Sequence, residues 1–182
     1  MVAYVIIPGI DGSDEQHWQT LWERELGSSA VRIAPASWSA PVLADWVGAV
    51  QTAYETACGR SMDGEVVLVA HSLGCWAGAR RGRPRPGAAG GLLVAPPDPR
   101  GPAFPREPAA TFLDPAARPL SCPALVVGSA DDPYCTAEAA AGFAAAWEAR
   151  WHLAAPAGHL NSASGLGSWP QGRALLNSLT GA

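Results

Sequence analysis

A chain of 182 residues, 48% hydrophobic and 15% charged, can bury one core and is expected to form a single domain over residues 1–182. The net charge of −4 is modest and the twelve basic residues are all arginine, with no long run, which argues against a nucleic-acid partner. No apolar run approaches the ~20 residues that cross a bilayer, and the start M-V-A-Y-V-I-I-P-G lacks the regions of a secretory leader; a cytoplasmic protein without a membrane partner is expected.

Short aliphatic runs bounded by Gly, Pro or Asp predict strands at residues 3–7, 30–34, 65–70, 91–95, 124–128 and 150–154. Several are apolar at consecutive positions, as strands covered on both faces should be. Between them, residues 15–26 place Trp18, Leu21, Trp22 and Leu26 at helical spacing, and residues 41–58 carry Val42, Leu43, Trp46, Val47, Val50 and Tyr54 on one stripe. The arginines Arg80, Arg81, Arg83 and Arg85 are interrupted by Gly82, Pro84 and Pro86 and read as a solvated loop. The Pro-rich stretch 95–123 is expected to wrap the surface or form a minimal flap, with no room for a cap domain. Residues 136–147 form an Ala-rich helix capped by Thr136, and a last helix starts near Pro170. Alternating strands and helices imply a three-layer α/β fold on a parallel sheet with right-handed crossovers.

The strand at 65–70 runs directly into His71–Ser72–Leu73–Gly74. A serine between a buried strand and a helix sits where a nucleophile elbow places its hydroxyl, above the end of the sheet. Such a tight turn needs small residues two before and two after the serine. Here they are Ala70 and Gly74, so alanine adds one methyl group where glycine is usual. An acid and a base should follow in that order, each just past a later strand. Asp131 and Asp132 follow the strand at 124–128, and His159 follows the strand at 150–154. Imidazole can take the serine proton, and a carboxylate can orient the ring and stabilise its cation. Both aspartates qualify by position; in one division Asp132 faces His159 while Asp131 caps the loop. His17 and His152 fall inside predicted elements and read as packing or surface residues. His71 is given a supporting role beside the substrate.

The first strand ends in Pro8–Gly9–Ile10–Asp11–Gly12, a turn that can aim a backbone N–H at a developing oxyanion. Ile10 is the expected donor, with Gly9 the alternative, and Leu73 the second donor. Gly9, His71 and Trp18 are the expected substrate contacts; Trp18, Trp76 and Trp169 either line an acyl pocket or fill the core. There is no phosphate-binding glycine pattern and no lysine. Cys58, Cys75, Cys122 and Cys135 form no C-x-x-C pair and no metal-ligand spacing, so neither metal nor cofactor is expected.

The segments P-G-I-D-G-S-D-E-Q-H-W at 8–18, V-A-H-S-L-G-C at 69–75, L-L-V-A-P-P-D at 92–98, D-D-P-Y-C at 131–135 and A-G-H-L-N-S-A-S-G-L-G-S-W-P at 157–170 together resemble the retinoblastoma-binding protein 9-like, or YdeN-like, group of small serine hydrolases. The resemblance implies an α/β-hydrolase fold with a shortened, six-stranded sheet and no cap domain. It implies a triad of Ser72, Asp132 and His159, the acid being the aspartate directly before proline. Cleavage of a small ester, thioester or activated amide through an acyl-enzyme is the leading expectation. Acyl transfer or cyclisation on the same triad, or a binding protein with a vestigial triad, are the alternatives.

Overall fold

The computed structural model describes residues 2–80 and 88–180. In chain order it contains β1 (Ala3–Ile7), α1 (Trp18–Leu26), β2 (Ala30–Arg32), α2 (Leu43–Arg60), β3 (Val66–His71), α3 (Gly74–Ala79), β4 (Gly90–Val94), β5 (Ala124–Ser129), α4 (Ala137–Ala146), β6 (Arg150–Ala154) and α5 (Pro170–Thr180). The strands form one six-stranded parallel sheet in the order β2-β1-β3-β4-β5-β6.

The unbroken apolar strands are explained by two cores. Val5, Ile7, Leu68, Ala70, Leu93 and Val126 face α2, α3 and α4, where Trp46, Tyr54, Trp76 and Trp147 are buried. Their neighbours Ile6, Val67, Val69, Leu92, Val94, Leu125 and Val127 face α1 and α5, where Trp18, Trp22 and Leu176 are buried. Successive side chains point to opposite faces, so a strand with helices on both sides is apolar throughout.

Element boundaries depart from the periodic reading for local reasons. Helix α1 starts at Trp18, not at residue 15, because Asp14 first makes a turn that accepts the N–H groups of Gln16 and His17. The edge strand β2 stops early: Ile33 still donates to Ile6, but Pro35 has no N–H to offer. The Pro-rich stretch wraps the surface and is anchored there, with Phe104 and Phe112 buried against the α2 core. Its Thr111 hydroxyl accepts the N–H of Leu43 at 2.9 Å and so caps α2 from outside. Arg81, Arg83 and Arg85 lie outside the described residues. Among the described residues, no helix is long and apolar enough to cross a membrane. Because every strand is parallel, the loops after β1, β3, β4, β5 and β6 leave one edge of the sheet together.

Candidate active site

Ser72 follows β3 directly and has φ +53°, the left-handed region that costs a side-chain-bearing residue about 1–3 kcal/mol. The turn is held because Ser72 N–H still donates to Val94 at 2.8 Å, continuing the ladder. A Cβ on Gly74 would lie 2.3 Å from the Pro8 carbonyl oxygen, so only glycine lets α3 come this close to the end of β1. A Cβ on Gly9 would lie 2.7 Å from the Cβ of Ser72, which places the loop after β1 against the serine. Ala70, by contrast, is fully buried beside Gly78 without overlap, which accounts for the methyl group at that position.

The loops after β5 and β6 bring Asp132 and His159 to the serine. Ser72 Oγ is 2.8 Å from His159 Nε2, and His159 Nδ1 is 2.9 Å from both Asp132 oxygens. With the carboxylate accepting from Nδ1–H, Nε2 is the nitrogen that accepts from the serine hydroxyl. Asp132 also accepts the N–H of Tyr134 at 2.9 Å, which sets its orientation, and its side chain is 2% exposed. Asp131 turns elsewhere. Its Oδ1 accepts from the N–H groups of Ala157 and Gly158 and from the Ser129 hydroxyl, each at 2.8 Å. The Gly158 and Ser129 bonds, in that order, hold its carboxyl below the usual range. Asp131 therefore pins the backbone directly before His159.

His71 holds the same residue from the other side, donating Nε2–H to the His159 carbonyl at 2.9 Å. It is buried, and burial pushes its pKa well below the ordinary histidine value, helped by the neighbouring His159 and His17 rings. The three rings form a file, with centroids 4.7 Å apart for His17 and His71 and 5.0 Å for His71 and His159.

Above Ser72 lies a cavity of about 360 Å³, whose walls include Gly9, Ile10, His71, Leu73, Tyr134 and His159. Ile10, Leu73, Gly9 and His71 are thus at the serine as expected. Trp18 is not. It is 1% exposed, packs against Trp22 and Trp169, and donates its indole N–H to Leu160 at 2.8 Å. The apolar aromatic surface expected at the substrate is core between α1 and the loop that carries His159. Trp76, bonded to the Pro97 carbonyl, and Trp169 are likewise buried. The cavity instead uses His17, Tyr134, Asn161 and Ser162, which periodicity did not single out. For Tyr134 there was a signal, two residues beyond Asp132; for His17, at a predicted helix face, there was none. A larger hollow of about 560 Å³ between α3 and the Pro-rich stretch contains none of the expected site residues.

A hydroxyl bonded to an imidazole that is backed by a carboxylate can pass its proton to the ring as the oxygen attacks a carbonyl. Residues 4–178 match the serine hydrolase family. A protein of Pectobacterium atrosepticum described as a YdeN-like hydrolase is 31% identical, with 100% of this chain and 91% of that chain covered and a TM-score of 0.81. The ydeN gene product of B. subtilis is 22% identical over 100% of this chain and 99% of that one, with a TM-score of 0.75. Esterase 2 of Thermogutta terrifontis, solved with butyrate bound, shares the fold at 15% identity, covering 97% of this chain and 81% of that one with a TM-score of 0.65. No curated protein matches. The six-stranded parallel sheet flanked by helices is an α/β-hydrolase fold without a cap domain among the described residues, and the chain belongs to the serine hydrolase family, alongside its YdeN-like members.

Proposed function

We propose that this protein cleaves small esters, thioesters or activated amides through an acyl-enzyme on Ser72. The observation that carries the proposal is the 2.8 Å contact between Ser72 Oγ and His159 Nε2, with Asp132 on the other ring nitrogen. In the first step His159 Nε2 takes the hydroxyl proton as Oγ bonds to the substrate carbonyl carbon. The carbonyl oxygen becomes an oxyanion facing the N–H groups of Ile10 and Leu73. The N–H groups of Asp11 and Gly12 are committed to the carbonyls of Trp38 and Gly9, which favours Ile10 as the donor from that loop. Collapse of the tetrahedral centre breaks the bond to the leaving group, which receives the proton from His159. Water then repeats the sequence on the acyl-enzyme, and Ser72 is released with the carboxylic acid product. Asp132 stabilises the imidazolium formed at each stage.

The cavity of about 360 Å³ suits a short acyl group. A butyrate-bound esterase of the same fold supports that choice. The partner is thus a small acyl compound, and the cytoplasmic location expected from the sequence belongs to the same proposal. Labelling by a fluorophosphonate probe tests it. A single adduct on Ser72, absent in Ser72→Ala and weakened in His159→Ala, is the expected result. Folded protein that takes no label would overturn the reading.

A further inference from the structure

One polar group in the cavity wall has no part in this chemistry. His17 is 3% exposed and lines the cavity with Ser72. Its Nδ1 accepts the N–H of Gln19 at 3.1 Å, so the proton of the neutral ring sits on Nε2. That Nε2 is buried and has no hydrogen-bond partner among the described residues. Buried donors without an acceptor are few in folded proteins, and each asks for an explanation. Burial lowers the pKa of His17 to about 4, against the opposing pull of Asp14, so the ring is an uncharged donor at neutral pH.

The charged groups narrow the choice of ligand. Asp14 lines the cavity, and among the described residues no arginine does. A substrate bearing a second carboxylate would meet the like charge of Asp14 in the cavity wall. A cationic group would not accept from an N–H donor. A neutral oxygen fits both conditions.

We propose that His17 Nε2–H is the recognition point for an uncharged oxygen acceptor on the substrate, a hydroxyl or carbonyl separate from the bond that is cleaved. The proposal rests on the hydrolase reading above. It makes plain alkanoyl esters and dicarboxylic monoesters the poorer substrates, because a site built to hydrogen-bond an oxygen discriminates against an analogue that lacks it.

The test compares kcat/KM for methyl 3-hydroxybutyrate against methyl butyrate, and for 2-hydroxyethyl butyrate against propyl butyrate. These pairs place the extra hydroxyl on the acyl side or on the alcohol side. The wild type should prefer the hydroxylated member of at least one pair by about tenfold or more. His17→Asn, which keeps an acceptor at the helix cap and removes the ring, should bring that ratio close to one. Because the readout is a ratio, a general loss of activity in the variant cancels. No preference in either pair, or a preference that survives His17→Asn, overturns the proposal. Nitrogen NMR of ¹⁵N-histidine-labelled Ser72→Ala protein gives a second readout without turnover. The His17 Nε2 signal should move with the hydroxylated ester and not with its plain partner; a signal indifferent to both also overturns the proposal. Failure of Ser72 to take a fluorophosphonate would instead count against the hydrolase reading.

Discussion

The indole N–H of Trp18 donates to the carbonyl of Leu160 at 2.8 Å, joining the first helix to the residue that follows His159. Trp22 does the same for Ser168 at 2.6 Å, and Ser162 donates to Asp14 at 2.7 Å. Leu160 has φ +50°, so the loop bends sharply where Trp18 holds it. Trp18→Phe keeps most of the buried volume and removes the bond. We expect a loss of about 1–3 kcal/mol of stability, from an unsatisfied buried carbonyl. We also expect kcat to fall about tenfold with a smaller change in KM, since a displaced base loses alignment rather than substrate binding. Denaturant unfolding and steady-state kinetics measure the two effects.

The adjacent aspartates should separate cleanly on mutation. Asp132→Asn leaves His159 without a carboxylate to fix its tautomer, and kcat/KM should fall about 10⁴-fold. Asp131→Asn retains an oxygen that can accept a loop N–H, and the loss should be about tenfold or less. The opposite ranking would reassign the acid.

Acid should unfold the protein from within. His17 and His71 are neutral in the fold, with pKa values pulled down, to about 4 for His17, whereas the unfolded chain takes up protons near pH 6.5. Between those values the unfolded state binds more protons, so stability is complete above the unfolded pKa and declines as pH falls towards the folded one. For His17 alone the loss approaches about 3 kcal/mol at pH 4. Unfolding free energy measured from pH 7 to pH 4 should fall steeply, and His17→Asn should flatten the slope by close to one proton.

Gly74→Ala should fold poorly, because the new methyl group would lie 2.3 Å from the Pro8 carbonyl and 2.5 Å from that of Ile7. A cost of about 3 kcal/mol or more is expected where the obstacle is backbone. Ala70→Gly serves as the comparison and should retain the fold. Thermal midpoints of the purified variants decide the matter.

The sheet was readable because helices cover both of its faces, which makes each strand an uninterrupted apolar word between turn residues. Ser72, Asp132 and His159 were readable because residue type, chain order and strand position coincide, and the structure brings the three side chains together. The cavity wall was not. His17 and Trp18 are neighbours at the start of one helix, and periodicity ranks the larger apolar ring as the better ligand contact. Which of them meets the cavity depends on the Asp14 turn and on the Leu160 bond, a partner 142 residues away that no local pattern encodes. The Pro-rich stretch hid its role for a similar reason: Phe104 and Phe112 are buried, but at no repeating interval. Gln19 was also passed over. It is fully buried and bonds the carbonyls of Ile7 and Val69 through its amide nitrogen, which ties α1 to the adjacent strands β1 and β3.

The fastening of the His159 loop to α1 spans contacts 142 to 148 residues apart. Closing so long a loop is entropically slow, and it comes after the local strand–helix units can form. During synthesis Ser72 and Asp132 emerge before the base that would activate the serine. Until the final strand docks and α1 grips the loop behind it, a collapsed chain would hold an inert alcohol. Reactivity at Ser72 thus reports that this distant closure has been made.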